Sequence, residues 1–150
     1  TPLYSSAASD VYKRQVYEYA SSGQRFLNYL IDFIAFYLLV SVAGIFIGIF
    51  YASSGQVFNE DDGGFIALTY AISFAIFLAY YTFLEGTKGK TLGKLITKTK
   101  VVREDGEPMN YGKAFVRTLC RLVPFEAFSG FSGTTMWHDS WTNTMTVKDR

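Results

Sequence analysis

Two long apolar runs joined by a short polar turn organise the chain. The first, Phe26 to Tyr51, reads FLNYLIDFIAFYLLVSVAGIFIGIFY and is preceded by Arg25. Its only charge is Asp32, and Asn28 and Ser41 are its other clearly polar side chains. As a helix it would be roughly 38 Å long, enough to cross a ~30 Å hydrocarbon core with tilt. The second run, Phe65 to Leu84, carries no charge. The connection Ala52 to Gly64, ASSGQVFNEDDGG, is turn-rich and short. The pattern therefore predicts an antiparallel transmembrane helical hairpin with spans at about 25–51 and 65–84. Tyr17 and Tyr19 before the first span, and Tyr80, Tyr81 and Phe83 at the end of the second, suit membrane interfaces. Ser21, Ser22 and Gly23 are candidate caps for the first helix.

Small residues recur at four-residue spacing in both spans. Gly44, Gly48 and Ala52 form one stripe, and Ala67, Ala71, Ala75 and Ala79 form the other. Such stripes permit close helix approach in lipid, so the hairpin is expected to close through Gly44 and Gly48 against Ala71 and Ala75.

The remainder, 85–150, is polar and predicts a small mixed layer. Thr91 to Ile96 reads as a short interfacial helix. Thr97 to Arg103 alternates as a strand does, and Asp105-Gly106 is a turn signal. Asn110 can cap a third helix over Tyr111 to Leu122, which Pro124 would stop or kink. Lys113, Arg117 and Arg121 share one face of it, and Val116, Leu119, Cys120 and Val123 share another. That pattern predicts an amphipathic helix at the cytoplasmic interface, its basic side at headgroups or against carboxylates. Phe125 to Gly133 reads as an aromatic wedge or a short re-entrant piece. Thr144 to Val147 reads as a strand able to pair with Thr99 to Val102. The fold class is thus mainly α and membrane-embedded, with a small β-hairpin or strand element.

Charge orients this layout. The segment 85–112 holds Lys88, Lys90, Lys94, Lys98, Lys100 and Arg103, whereas Ala52 to Gly64 holds Glu60, Asp61 and Asp62 and no base. The asymmetry places the basic side, and both termini, in the cytoplasm. Lacking interleaved aromatics and lying beside a span, the basic run is expected to meet anionic lipid rather than nucleic acid. Overall the formal net charge is only +1, with hydrophobic residues at 49%. By length, 16–150 is one domain. Thr1 to Gln15 ends in DVYKRQ, which reads as a translated sequencing adapter on a metagenomic fragment. The native start is expected to lie elsewhere.

Candidate chemistry is sparse. One cysteine, Cys120, and one histidine, His138, exclude an internal disulfide and the usual His/Cys metal clusters. No cofactor is implied. The acidic loop lacks EF-hand spacing, and Gly86, Gly89 and Gly93 lack the spacing of a phosphate loop. His138-Asp139 resembles part of a hydrolytic dyad, but adjacent residues point apart and no activated serine accompanies them. No enzymatic activity is expected. Attention falls instead on Arg25, Asn28 and Asp32, which lie along one helix face and lead inward from the membrane surface. Asp32 needs a partner, because a carboxylate in hydrocarbon is costly. Arg25 lies two turns away and snorkels outward. Arg117 and Arg121 are therefore the expected partners, leaving Arg25 to meet Asp139 or Glu85 at the surface.

The Arg25–Asp32 pair, the segment YYTFLEGTKGKTLGKLITKTKVVREDGEPMNYGKAFVRTLCRL and the late WHDSWTNTMTV together resemble the RDD family of bacterial membrane proteins, named for one arginine and two aspartates. The resemblance runs from about Tyr19 to Val147 and is most specific at Glu85 to Lys94. It implies Arg25, Asp32 and Asp139 as the signature positions, with Glu85, Gly93, Lys94, Gly106, Arg117 and Thr144 at favoured ones. Two departures stand out: the stretch from Pro124 to Asp139 is too short for the third span common in that family, and Trp137 replaces the usual basic run. The resemblance implies a multi-pass protein of the bacterial inner membrane and a transport role, with cation/proton exchange claimed for some members. In such a role Asp32 would exchange a proton for a cation, with a nearby guanidinium tuning its pKa. Two spans cannot enclose a pore, so that role requires a homo-oligomer or larger complex. The alternative is a structural or accessory protein in which the same charges are statically paired.

Overall fold

The computed structural model describes residues 17–55, 59, 61–123, 125–129 and 136–149. The adapter-like segment 1–15, Glu60, Pro124 and the 130–133 part of the aromatic wedge lie outside the described residues. The architecture is mainly helical, with two long apolar helices and one small sheet at one end of them.

Helix α1, Ser22–Ser53, opens on a capping box. Gln24 N–H donates to Ser21 Oγ at 3.2 Å, and Ser21 N–H donates to Gln24 Oε1 at 3.0 Å. Helix α2, Gly63–Lys88, is capped by Asp62, which accepts from Gly64 N–H at 3.1 Å. It ends at Gly89, whose φ of 66° is left-handed and whose Cβ, were there one, would run into the carbonyl of Val101. Both helices are long and apolar enough to cross a membrane. Their large apolar side chains, such as Tyr37, Phe46 and Tyr70, are exposed on the chain itself.

The small-residue stripes do not close this hairpin. Nothing lies within 4 Å of a Cβ built on Gly44 or Gly48, and Ala71 and Ala75 are exposed. Aromatic rings hold the helices instead. Phe36 meets Phe77 edge-on at 5.7 Å, and Tyr51 meets Phe65 edge-on at 5.5 Å. Rings of this size keep the two backbones too far apart for glycine contact.

A polar cap covers the end of the hairpin where α1 begins and α2 ends. It comprises α3 (Leu92–Ile96), β1 (Thr99–Arg103), α4 (Tyr111–Cys120), a 3₁₀ turn (Glu126–Phe128), α5 (Trp137–Trp141) and β2 (Thr144–Lys148). Strands β1 and β2 pair antiparallel, with Thr99 opposite Lys148 and Arg103 opposite Thr144. The turn at Gly106 exists, but it does not make a local hairpin; β1 pairs with the distant β2. The lead before α1 joins the same layer, through the Tyr19–Val147 bridge and Ala20 N–H donating to Thr146 O at 3.0 Å. Val101, Met109 and Ala114 form one small apolar core, and Val102, Met145 and Val147 another.

Helix α4 is amphipathic with its charged face turned inward. Asn110 caps it by accepting from Lys113 N–H at 2.8 Å. Ala114, Arg117 and Thr118 are wholly buried, while Phe115, Val116 and Leu119 are exposed. Of the expected basic face, Arg117 and Arg121 meet carboxylates, while Lys113 donates to the Thr142 carbonyl at 2.9 Å. At roughly 15 Å the helix is too short to span.

Candidate functional site

Glu85 is the hub of the cap. The last turns of α2 carry it to the centre of the layer, where it is fully buried. Lys94 Nζ donates to Oε1 at 2.6 Å, Arg121 Nη2 to Oε1 at 2.6 Å, and Arg117 Nε to Oε2 at 3.0 Å. Arg117 also reaches α5, its Nη1 donating to Asp139 Oδ1 at 2.5 Å and to Thr144 Oγ1. Asp139 is completed by Thr146 Oγ1, 3.0 Å from its Oδ2. Arg121 further stacks over the Tyr81 ring, 4.4 Å from its centroid. Three cations thus converge on one carboxylate, and one of them ties α2 and α4 to α5 and the sheet. Burial opposes charge on Arg121, but the Glu85 carboxylate outweighs it and its pKa moves up. At Lys94 burial wins over Glu85, and the pKa moves down.

Asp32 is held differently. Tyr80 Oη donates to Oδ1 at 2.9 Å, Thr91 Oγ1 to Oδ2 at 2.6 Å, and Gly93 N–H to Oδ1 at 2.8 Å. All three donors are neutral. The expected partners Arg117 and Arg121 are spent on Glu85, and no cation lies within ion-pair distance of Asp32 among the described residues. The correction has a geometric cause. Helix α3 docks directly on α1, and its first turn brings Thr91 and Gly93 over the carboxylate before α4 can reach it. The contact is backbone to backbone: a Cβ on Gly93 would lie 2.9 Å from Asn28 Cα and nearer still to its carbonyl oxygen. Asn28 turns to the sheet, its Nδ2 donating to Thr99 Oγ1 at 3.0 Å and its Oδ1 accepting from Thr97. The segment Glu85–Lys94 is therefore a clasp: counter-ion, turn glycine, hydroxyl donor, contact glycine and cation in sequence.

Arg25 is not at the surface and forms no ion pair with Asp139 or Glu85, although Asp139 lies near enough to attract it. Arg25 is 4% exposed, and its Nε has no hydrogen-bond partner. It lines a cavity of about 390 Å³ with Lys94 and Arg121, and with Asp32, Glu126 and His138. Phe33, Phe36, Phe77 and Phe128 line it too. Glu126 and His138 are in contact through Oε1 and Nδ1. Burial, then Arg117, pushes the His138 pKa well below its usual value. Burial raises that of Glu126 against the pull of Arg121.

The structure thus brings together Glu85, Arg117, Arg121 and Asp139 as one network. It sets Asp32 and Asn28 beside them and leaves Arg25 apart. Tyr80, Thr91, Glu126 and Thr146 are participants that the sequence reading did not assign. For Thr144 and Thr146 a signal existed: threonines two apart in a strand share a face. No metal-competent cluster of His, Cys, Asp or Glu occurs among the described residues.

The family model described as RDD family matches residues 19–147. No curated protein and no solved structure matches the chain.

Proposed function

The chain belongs to the RDD family of membrane proteins, and on that premise we propose a non-enzymatic, membrane-spanning accessory subunit whose Arg/Asp network is a static clasp. One observation carries this reading. The carboxylates of Asp32, Glu85 and Asp139 are buried and engaged by fixed protein donors. A carboxylate caged in that way is poorly placed to take up and release a cation. The clasp joins the cap to both helices, so its task is to hold the cap on the hairpin. The basic asymmetry supports a bacterial inner-membrane location with both termini cytoplasmic. Pairing of the lead with β2 in one layer agrees with both lying on the same side. Anionic lipid at the basic face and further copies of the chain are the partners this reading expects, and nucleic acid is not.

A second reading, cation/proton exchange through Asp32, is favoured by the cavity that reaches this residue. Two spans would have to assemble with further copies to build a pathway. Proteoliposome flux and detergent stability of wild type and Asp32→Asn separate the two. The clasp predicts that Asp32→Asn lowers thermal stability and that wild-type vesicles show no proton-coupled cation flux above empty ones. Flux in wild type that vanishes in a fully stable Asp32→Asn protein would establish the exchanger instead.

A further inference from the structure

We propose that the cavity beside Arg25 binds the phosphate headgroup of an anionic lipid, with Arg25 as its counter-ion. The proposal rests on the membrane placement given above and adds a defined site to it.

Arg25 is buried and its Nε has no hydrogen-bond partner, while Asp139 and Tyr19 attract it from beyond ion-pair distance. A buried guanidinium without an acceptor is strongly disfavoured, so the fold has a reason to recruit one. The neighbouring acids are engaged elsewhere. Asp32 is taken by Tyr80, Thr91 and Gly93, and Asp139 by Arg117 and Thr146. Glu85 holds three cations, and Glu126 lies against His138. Four cations, Arg25, Lys94, Arg117 and Arg121, stand among four carboxylates, Asp32, Glu85, Asp139 and Glu126, and among the described residues Arg25 is the one of the four cations that no carboxylate bonds.

The lining of the cavity is mixed. Arg25, Lys94 and Arg121 share it with Asp32, Glu126 and His138, and Phe33, Phe77 and Phe128 give it apolar wall. Its volume of about 390 Å³ is near the lower end for small-molecule sites, which suits a headgroup rather than a whole lipid. Leu122, Phe125 and Phe128 are exposed at the rim, where acyl chains would emerge. A guanidinium binds phosphate bidentately, so Arg suits this position better than Lys. Free phosphate would share the Arg25 contact and gain nothing from the aromatic walls.

The test uses the whole chain in a neutral detergent, stripped of lipid. Short-chain phosphatidylglycerol, short-chain phosphatidylcholine and inorganic phosphate are titrated separately. Native mass spectrometry reads stoichiometry, and thermal unfolding reads the shift. Wild type should bind one phosphatidylglycerol and gain stability, with phosphatidylcholine and phosphate each weaker by about tenfold or more. Arg25→Gln should be at least as stable as wild type without lipid and should lose the phosphatidylglycerol-dependent gain. Arg25→Lys should keep part of it. Phe128→Ser, at a residue 66% exposed, keeps the test alive if Arg25→Gln fails to fold. It should weaken the lipid and leave phosphate unchanged. Lys88→Gln and Lys98→Gln, on the exposed basic face, should bind as wild type does. Undiminished phosphatidylglycerol binding by Arg25→Gln would overturn the proposal. Phosphate binding as tight as lipid would overturn the lipid source. Equal loss in the Lys88 and Lys98 variants would reduce the effect to surface attraction, with the membrane placement intact and the site disproved.

Discussion

Glu85, Asp32 and Arg25 show three ways a buried charge is treated in one layer. Glu85 is compensated by cations, Asp32 by neutral donors, and Arg25 only at a distance, by the attraction of Asp139, with its Nε left without a hydrogen bond. Removing one partner of a buried ion pair commonly costs about 3–5 kcal/mol, because the other charge is stranded. His138 is the residue through which pH enters. It lies against Glu126, with Asp139 and Arg117 nearby, and burial first and Arg117 second depress its pKa. The folded protein therefore holds it neutral. As pH falls through about 6.5, the unfolded chain takes up a proton that the folded one refuses, and stability drops. Glu126, raised by burial, works in the opposite sense: its contribution is lost as pH climbs above about 4.3 toward its folded value. The melting temperature in detergent should thus fall between pH 7.5 and 5.5, and His138→Gln should flatten that fall. An unchanged slope in the variant would assign the acid sensitivity to another group.

At the scale of the element, α4 and the Glu85–Lys94 clasp reverse ordinary expectations. An amphipathic helix usually turns its charges to water, yet α4 buries Arg117 and exposes Phe115 and Leu119. Arg117 has its acids inside, Lys113 donates to the Thr142 carbonyl, and the apolar face is left exposed. The clasp depends on contact at Gly93. Gly93→Ala would press a methyl into the Asn28 backbone and is expected to cost at least ~2 kcal/mol. Gly44→Ala, with nothing near it, should be neutral or stabilising by up to ~1 kcal/mol. Similar melting temperatures for the two variants would refute the tight contact of α3 on α1. These elements also mark what was legible beforehand. The hairpin, the α4 cap at Asn110 and the pairing of strand Thr99–Arg103 with strand Thr144–Lys148 followed from run length, capping chemistry and alternation, all local signals. The pairing of Asp32 was not legible, since its donors lie 48, 59 and 61 residues away. Local spacing fixes which residues share a face, and only the docking of α3 decides which face meets Asp32. The glycine stripe misled because permissive spacing does not compel contact when bulky rings meet first.

Across the whole molecule, α1 is longer than a membrane requires. Its 32 residues extend roughly 48 Å. One face of its first turns, carrying Arg25, Asn28 and Asp32, is buried in the cap, while Phe26, Leu27, Tyr29 and Leu30 are exposed. From Phe33 to Ser53 some ~31 Å remains, close to the ~30 Å of a hydrocarbon core. Arg25, Asp32 and Asp139 are thus buried in protein, with Asp32 held by neutral donors. Arg117 is the joint of the cap, since among the described residues it alone bonds both Glu85 on α2 and Asp139 on α5. A double-mutant cycle of Arg117→Met and Asp139→Asn, read by unfolding in detergent, tests this most directly. Each single change should cost at least ~3 kcal/mol, and the pair should be less costly than the sum by ~1–3 kcal/mol. Additive losses, or single variants as stable as wild type, would contradict a static clasp.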